Sequence, residues 1–320
     1  MTNSIAANRT KNKADSKAWG RKFMKGLKKY WQYYILLLPA MAYFLIFCYG
    51  PMYGAQIAFR NFNAVDGVTG SPWVGFAHFE RFFASPYFTT LLKNTIVISV
   101  YGLLAGFPLP IILALSLNEL KNQWVKKIAQ TITYAPYFIS VVVMCGMLLS
   151  FLNPTTGIVN RFLGLFGIDP IPFLSRADLF PSIYVWSGVW QGTGWASVIF
   201  FAALAGVDPQ LLEAATLDGA GRLQKIWHIN IPTLLPTIVI MLIMSCGNLL
   251  SVGYEKIYLL QNSLNADTSE VISTYVYKTG LVNAQYSFST AVGLFNSVAN
   301  LVMLIIVNMV SRKISETSLW

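Results

Sequence analysis

Apolar residues along this chain gather into runs near 34–51, 95–117, 129–152, 181–206, 234–253 and 286–310, separated by polar, charged or glycine-bearing segments. Each run is close to the roughly 20 residues a helix needs to cross ~30 Å of hydrocarbon. Helices are the favoured spanning element because each backbone N–H and C=O must find a partner inside the segment when no water is present. None of the runs contains Asp, Glu, Lys or Arg. The pattern predicts an all-α integral membrane protein with six transmembrane helices. A spanning domain over 34–310 lies between a basic tail at 1–33 and a short tail at 311–320.

Composition agrees with that reading and narrows it. Hydrophobic residues make up 55% of the chain and charged residues 11%, with a mean hydropathy of +0.54; soluble domains carry about 25% charged residues. The charges outside the runs allow a test of orientation, since cytoplasmic loops collect Lys and Arg. With the N-terminus inside, segments 1–33, 118–128, 207–233 and 311–320 hold 16 Lys and Arg against 6 Asp and Glu, while the outer loops hold 7 of each. The whole net charge of +10 then lies on one face, so both termini are expected to be cytoplasmic. A basic protein of this pattern is read as a membrane protein and not as a nucleic-acid binder, which would place its cations on a folded soluble face.

Two readings fit the end of the basic tail. Trp19, Phe23, Leu27 and Tyr30 recur near helical spacing against Arg21, Lys22, Lys25, Lys28 and Lys29, as in a cationic helix lying at the inner leaflet. A solvated tail that only sets topology fits as well. Ala40-Met41-Ala42 resembles a cleavage site, but the preceding tail is long for a signal peptide and the apolar run continues to Cys48, so the segment is expected to be a retained span. The outer loops 52–94, 153–180 and 254–285 are long enough for short surface helices, and no separate receptor domain is expected among them.

Little in the chain points to chemistry. Cys48, Cys145 and Cys246 lie in separate apolar runs without C-x-x-C spacing and read as small core hydrophobes. His78 and His228 have no His or Cys at ligand spacing, so no metal site is expected. There is no G-x-x-x-x-G-K-[ST] loop to cradle nucleotide phosphates. The chain is therefore expected to be a non-enzyme that binds no cofactor itself.

The polar island at 207–233 is the most informative segment. Asp208-Pro209 is a good helix start, because the carboxylate can accept orphan N–H groups and proline loses no bond at the first helical position. A short helix is expected over about 209–217, a turn at Gly219 and Gly221, and a second short helix over about 222–230 running to Pro232. The island reads Glu213-Ala214-Ala215-Thr216-Leu217-Asp218-Gly219, followed by Ile229-Asn230-Ile231-Pro232. This resembles the cytoplasmic EAA loop of binding-protein-dependent ABC importer permeases, which continues into Ile-x-Leu-Pro. Ile231 stands where the family has Leu. Tyr33 to Phe59, Asn94-Thr95 and Gly253-Tyr254-Glu255-Lys256-Ile257-Tyr258-Leu259-Leu260 resemble the carbohydrate-uptake class, including permeases for complex oligosaccharides and alginate and the core of the maltose permease.

That resemblance implies a type I ABC importer permease fold in a bacterial cell membrane. It implies a second homologous permease, two ATPase subunits holding ATP-Mg, an extracellular solute-binding lipoprotein and an oligosaccharide cargo. Glu213, Ala214, Ala215, Asp218, Gly219, Ile229 and Pro232 would then couple the chain to an ATPase. The spans flanking the island would face the cargo, which makes Trp190, Gln191, Gly192 and Trp195 on the fourth, and Ser245, Asn248, Ser251 and Tyr254 on or after the fifth, the cavity candidates. The same residues fit interfacial anchors or interhelical hydrogen bonds. An ion-coupled secondary transporter or channel is the rival reading. It would ordinarily keep ionisable groups inside its spans.

Overall fold

The computed structural model describes residue 26 and residues 29–315. The interfacial helix considered for Trp19 to Tyr30 falls almost wholly outside them, as does the tail beyond residue 315. The chain divides into two compact units, Met1–Gln56 and Ile57–Trp320. The first unit carries most of helix α1, Lys29–Phe59, with a hydropathy of 1.9. Many of its large apolar side chains are exposed, Tyr33, Leu36 and Phe47 among them, as in a helix that meets an apolar surround. A widened π turn over Phe44–Tyr49 precedes Pro51. Proline lacks the N–H and crowds the carbonyl four residues back, and one wide turn accommodates both.

The second unit is helical throughout its named elements. The short α2, Ala77–Phe83, leads to α3, Tyr87–Asn118. Next come α4 (Gln123–Phe138) and α5 (Val141–Phe151), the short α6 (Ile158–Gly164), the long α7 (Phe180–Leu204) and α8 (Pro209–Leu217). They are followed by α9 (Arg222–Gly247), α10 (Tyr254–Leu260), α11 (Ile272–Tyr277) and α12 (Tyr286–Ser315). Among the described residues, four helices, α1, α3, α9 and α12, are individually long and apolar enough to cross a membrane, and counting each bent pair as one span raises the number to six.

The bends change what the third and fifth apolar runs mean. The run at 129–152 is not one straight rod: α4 and α5 meet at 97°. Pro136 sits in the last turn of α4, and Ser140 begins a new helix by accepting Val143 N–H on its hydroxyl at 3.3 Å. With 11 residues, α5 is about 16 Å long at 1.5 Å per residue, roughly half the hydrocarbon thickness. The fifth run is helical only to Gly247, and residues 248–253 leave the helix. Irregular backbone at that depth is tolerated where protein or a cavity covers it. Asn300 of α12 does so here, accepting Leu250 N–H at 2.9 Å and donating to Ser251 Oγ at 3.0 Å.

Helix α7 is the hub, packing on α3, α4 and α9, while α9 lies along α12. Gly194 lets α7 approach α4 closely, since a Cβ there would overlap the Thr133 carbonyl. Three clusters hold the unit together. Ala114, Leu115, Phe200, Leu204, Val207 and Leu234 join α3, α7 and α9 beside the polar island. Ile98, Cys145, Phe180, Val252, Ile257, Leu260 and Val271 form a second cluster, and Phe82, Leu91, Ile272, Phe288 and Val292 a third. Segment 254–285, expected as an outer surface loop, thus contributes four buried core residues. Asn94 fastens it by donating to the carbonyls of Asp267 (2.8 Å) and Glu270 (3.0 Å).

Candidate functional site

The polar island folds from local signals. Asp208 accepts Gln210 N–H at 2.9 Å and Pro209 occupies the first position of α8. The helix ends in a Schellman turn: Ala220 N–H reaches Ala215 O at 2.8 Å, Gly219 N–H reaches Thr216 O at 3.1 Å, and Gly219 adopts φ +81°. That angle suits glycine and strains a side chain. The next helix starts at Gly221, whose N–H is taken by Gln224 Oε1 at 2.7 Å, and Lys225 Nζ donates back to Thr216 Oγ1 at 2.7 Å.

The second short helix of the island does not stop at Pro232. It passes through a π turn at Ile226–Asn230 and continues as α9. The wide turn again precedes a proline, so α8, its Schellman turn and the fifth span form one connected piece. Leu212, Ile226 and Ile229 pack onto the adjacent core cluster. Glu213, Ala214, Asp218 and Gly219 are exposed, together with Leu217, Leu223 and Trp227. A hollow of about 360 Å³ is lined by Ala215, Asp218, Gly219, Gln224, His228 and Ile229 among others. Of the coupling candidates, Ala215, Asp218, Gly219 and Ile229 line this hollow, Ile229 also packing on the core cluster, while Glu213 and Ala214 are exposed on α8 and Pro232 follows the π turn within α9.

The cavity candidates divide among four places. Ser245, Asn248 and Ser251 line a hollow of about 380 Å³ with Gly102, Gly106, Tyr184 and Ala196. Gln191 and Gly192 line a hollow of about 410 Å³ that shares those four residues, so the two form one cleft between α3, α7 and the end of α9. Trp190 stands instead in an apolar groove with Met144, Phe151 and Trp186. Trp195 is stacked on Tyr137 with centroids 4.9 Å apart, and Tyr254 is stacked on Tyr277 at the same distance.

Several of these polar groups are already partnered. Gln191 Nε2 donates to Ile139 O at 2.7 Å and so closes the α4–α5 bend. Ser245 and Asn248 donate to carbonyls four residues back. Asn248, expected well inside the fifth span, is the residue that ends the helix. Sequence reasoning did not single out Lys256, which lines the cleft beside Gln191 and Gly192. Its position three residues past an apolar run gave it the look of a solvated loop charge.

No group of His, Cys, Asp and Glu among the described residues could hold a metal ion. The arrangement offers a cleft between helices and, packed on the core cluster of α3, α7 and α9, a capped short helix with an exposed face.

Comparison with known proteins matches the same architecture. Residues 106–316 fit the model of the family described as binding-protein-dependent transport system inner membrane component. The chain is 41% identical to the polygalacturonan/rhamnogalacturonan transport system permease protein YteP of Bacillus subtilis (strain 168), over 90% of this chain and 89% of that one. It is 40% identical to protein LplB of the same organism, over 94% and 95%. Among solved structures it is similar to a chain of a bacterial ABC transporter involved in the import of the acidic polysaccharide alginate, with 41% identity, a TM-score of 0.85, and coverage of 92% of this chain and 99% of that one. The chain belongs to the binding-protein-dependent ABC importer permeases and is a membrane-embedded transport subunit.

Proposed function

We propose that this chain is one of two permease subunits of an ATP-driven importer of acidic oligosaccharides in a bacterial cell membrane, with both termini cytoplasmic. The charge asymmetry between the two sets of loops supports the orientation. The relatives' names, which carry polygalacturonan, rhamnogalacturonan and alginate, support an acidic cargo. One similar transporter was crystallised with an alginate pentasaccharide-bound periplasmic protein, which supports delivery by a solute-binding lipoprotein. A second homologous permease completes the translocation pathway, and two ATPase subunits hold the ATP-Mg.

The observation that carries this reading is the continuity of the island with the fifth span. Helix α8 presents Glu213, Ala214 and Leu217 outward, and its Schellman turn leads without interruption into α9. A partner that moves α8 therefore moves the wall of the cleft carrying Ser245 and Asn248. ATP shifts the inward- and outward-facing populations only through contacts that differ between those states, and the exposed face of α8 is where such contacts enter. Small Ala214 and Ala215 let a partner groove close around the helix, while Glu213 offers a charge to a basic partner.

The test is uptake by proteoliposomes containing the full complex, supplied with loaded binding protein. Uptake of an acidic oligosaccharide should require hydrolysable ATP on the ATPase side and should survive a proton or sodium ionophore. Collapse of uptake by the ionophore with ATP present would favour the ion-coupled rival.

A further inference from the structure

Lys256 is the one charged residue among the cleft-lining side chains, and it is 9% exposed. A buried cation without a counter-charge is costly. The ion pairs among the described residues are Arg176–Asp178 and Lys278–Glu270, and neither includes it. Its sequence neighbour Glu255 points its side chain to the exposed face of α10. What Lys256 has is neutral: Nζ donates to Tyr184 O at 2.6 Å and sits 4.5 Å from the centre of the Tyr184 ring.

The surroundings keep room in front of this amine. Nζ lies 3.2 Å from where a Cβ on Gly188 would stand, so the glycine at that point of α7 lets the amine approach the helix closely. Gly102, Gly106 and Gly192 leave the adjoining cleft walls bare. An ammonium has three donors, and Tyr184 O takes one. The backbone of α10 is fixed around it by Ile257 and Leu260 in the core, and Cys145 Sγ contacts the Lys256 carbonyl. The cation is held in position and incompletely satisfied.

We propose that Lys256 is the specificity-determining cation of the translocation cleft, binding a uronate carboxylate of the passing oligosaccharide. This rests on the acidic-oligosaccharide reading above and adds the residue that reads the charge. The carboxylate supplies the counter-charge that the chain itself lacks, while neutral hydroxyls meet the polar rim at Ser245, Asn248 and Ser251.

The experiment compares wild type, Lys256→Met and Lys256→Gln in the full reconstituted complex. It measures ATP-dependent uptake of an oligogalacturonate and of its methyl-esterified, uncharged counterpart, with binding-protein loading determined separately for each. Lys256→Gln keeps a donor for Tyr184 O and so separates a structural hydrogen bond from a charge. Both variants are expected to lower the acidic-to-neutral uptake ratio about tenfold or more. An equal fall for both cargoes, or a wild-type ratio in Lys256→Gln, overturns the assignment. Wild-type complex that transports neither acidic cargo nor prefers it overturns the acidic reading and this inference together, whereas acidic uptake by both variants at the wild-type ratio overturns this inference alone.

Discussion

Replacing Asn300 by Ala should loosen the end of the fifth span. Asn300 is 8% exposed, and its side chain accepts the N–H of Leu250, itself 7% exposed, and donates to Ser251 Oγ. Because residues 248–253 have left the helix, Leu250 N–H has no carbonyl in its own segment to replace the lost acceptor. An orphaned buried donor costs about 1–3 kcal/mol and a lost neutral hydrogen bond about 1 kcal/mol. Together these come to roughly 2–4 kcal/mol, and the small void left by the shortened side chain adds to that. The assay is the thermal midpoint of the purified complex followed by size-exclusion profile, with uptake measured in parallel. Ala should lower the midpoint by several degrees and slow uptake, because the segment it clamps carries Asn248 and Ser251 into the cleft. A midpoint for Asn300→Ala indistinguishable from wild type would refute the clamp.

Other consequences follow from packing and capping. Gly194→Leu should abolish or strongly reduce the folded yield, since its side chain would need to occupy the space of the Thr133 carbonyl and the neighbouring Tyr134 backbone; overpacking alone costs about 1–3 kcal/mol, and a normal yield would contradict the α4–α7 contact. Trp195→Ala should cost about 1 kcal/mol beyond the lost buried area, from the stack on Tyr137, and leave the KM for cargo near wild type. A large KM rise with unchanged thermal stability would instead make Trp195 a cargo contact. Asp208→Ala removes the cap of α8 and should cost about 1 kcal/mol, seen as faster amide exchange over α8 with exchange in α7 unchanged.

The features legible in the sequence were those decided within a few residues. Helix α8 begins at Pro209 and ends at Leu217, as expected, because a side-chain cap and a glycine in a left-handed turn act locally. The fourth and sixth apolar runs form single long helices, with no proline inside either run beyond its first turn. Pro136 and Ser140 were visible within the third run, yet the size of the bend depends on Gln191 of α7 closing it across 52 positions. The early end of the fifth helix depends on Asn300, 50 positions away from the N–H it accepts.

Charge along the chain sets an expected orientation and marks no chemistry. Counting Lys and Arg by loop treats Lys256 as one of seven outer cations, and nothing within a few residues marks it as turned inward. Its burial comes from Ile257 and Leu260 drawing α10 into the core and from glycine at position 188 opposite, which only the folded chain brings together. The aromatic candidates show the converse. Trp190, Trp195 and Tyr254 have the residue types that stack on sugars, but their neighbours in the fold place Trp190 in an apolar groove and give Trp195 and Tyr254 tyrosine partners.

The most direct test of the coupling account is Gly219→Pro in the complete complex. Proline fixes φ near about −65° and has no N–H, so it cannot adopt +81° or make the bond to Thr216 O, and the turn joining α8 to the fifth span is lost. In assembled complex, stimulation of ATP hydrolysis by loaded binding protein should disappear together with uptake, while assembly and unstimulated hydrolysis are measured alongside. An assembled Gly219→Pro complex that keeps full stimulation and full uptake would contradict the role assigned to the island.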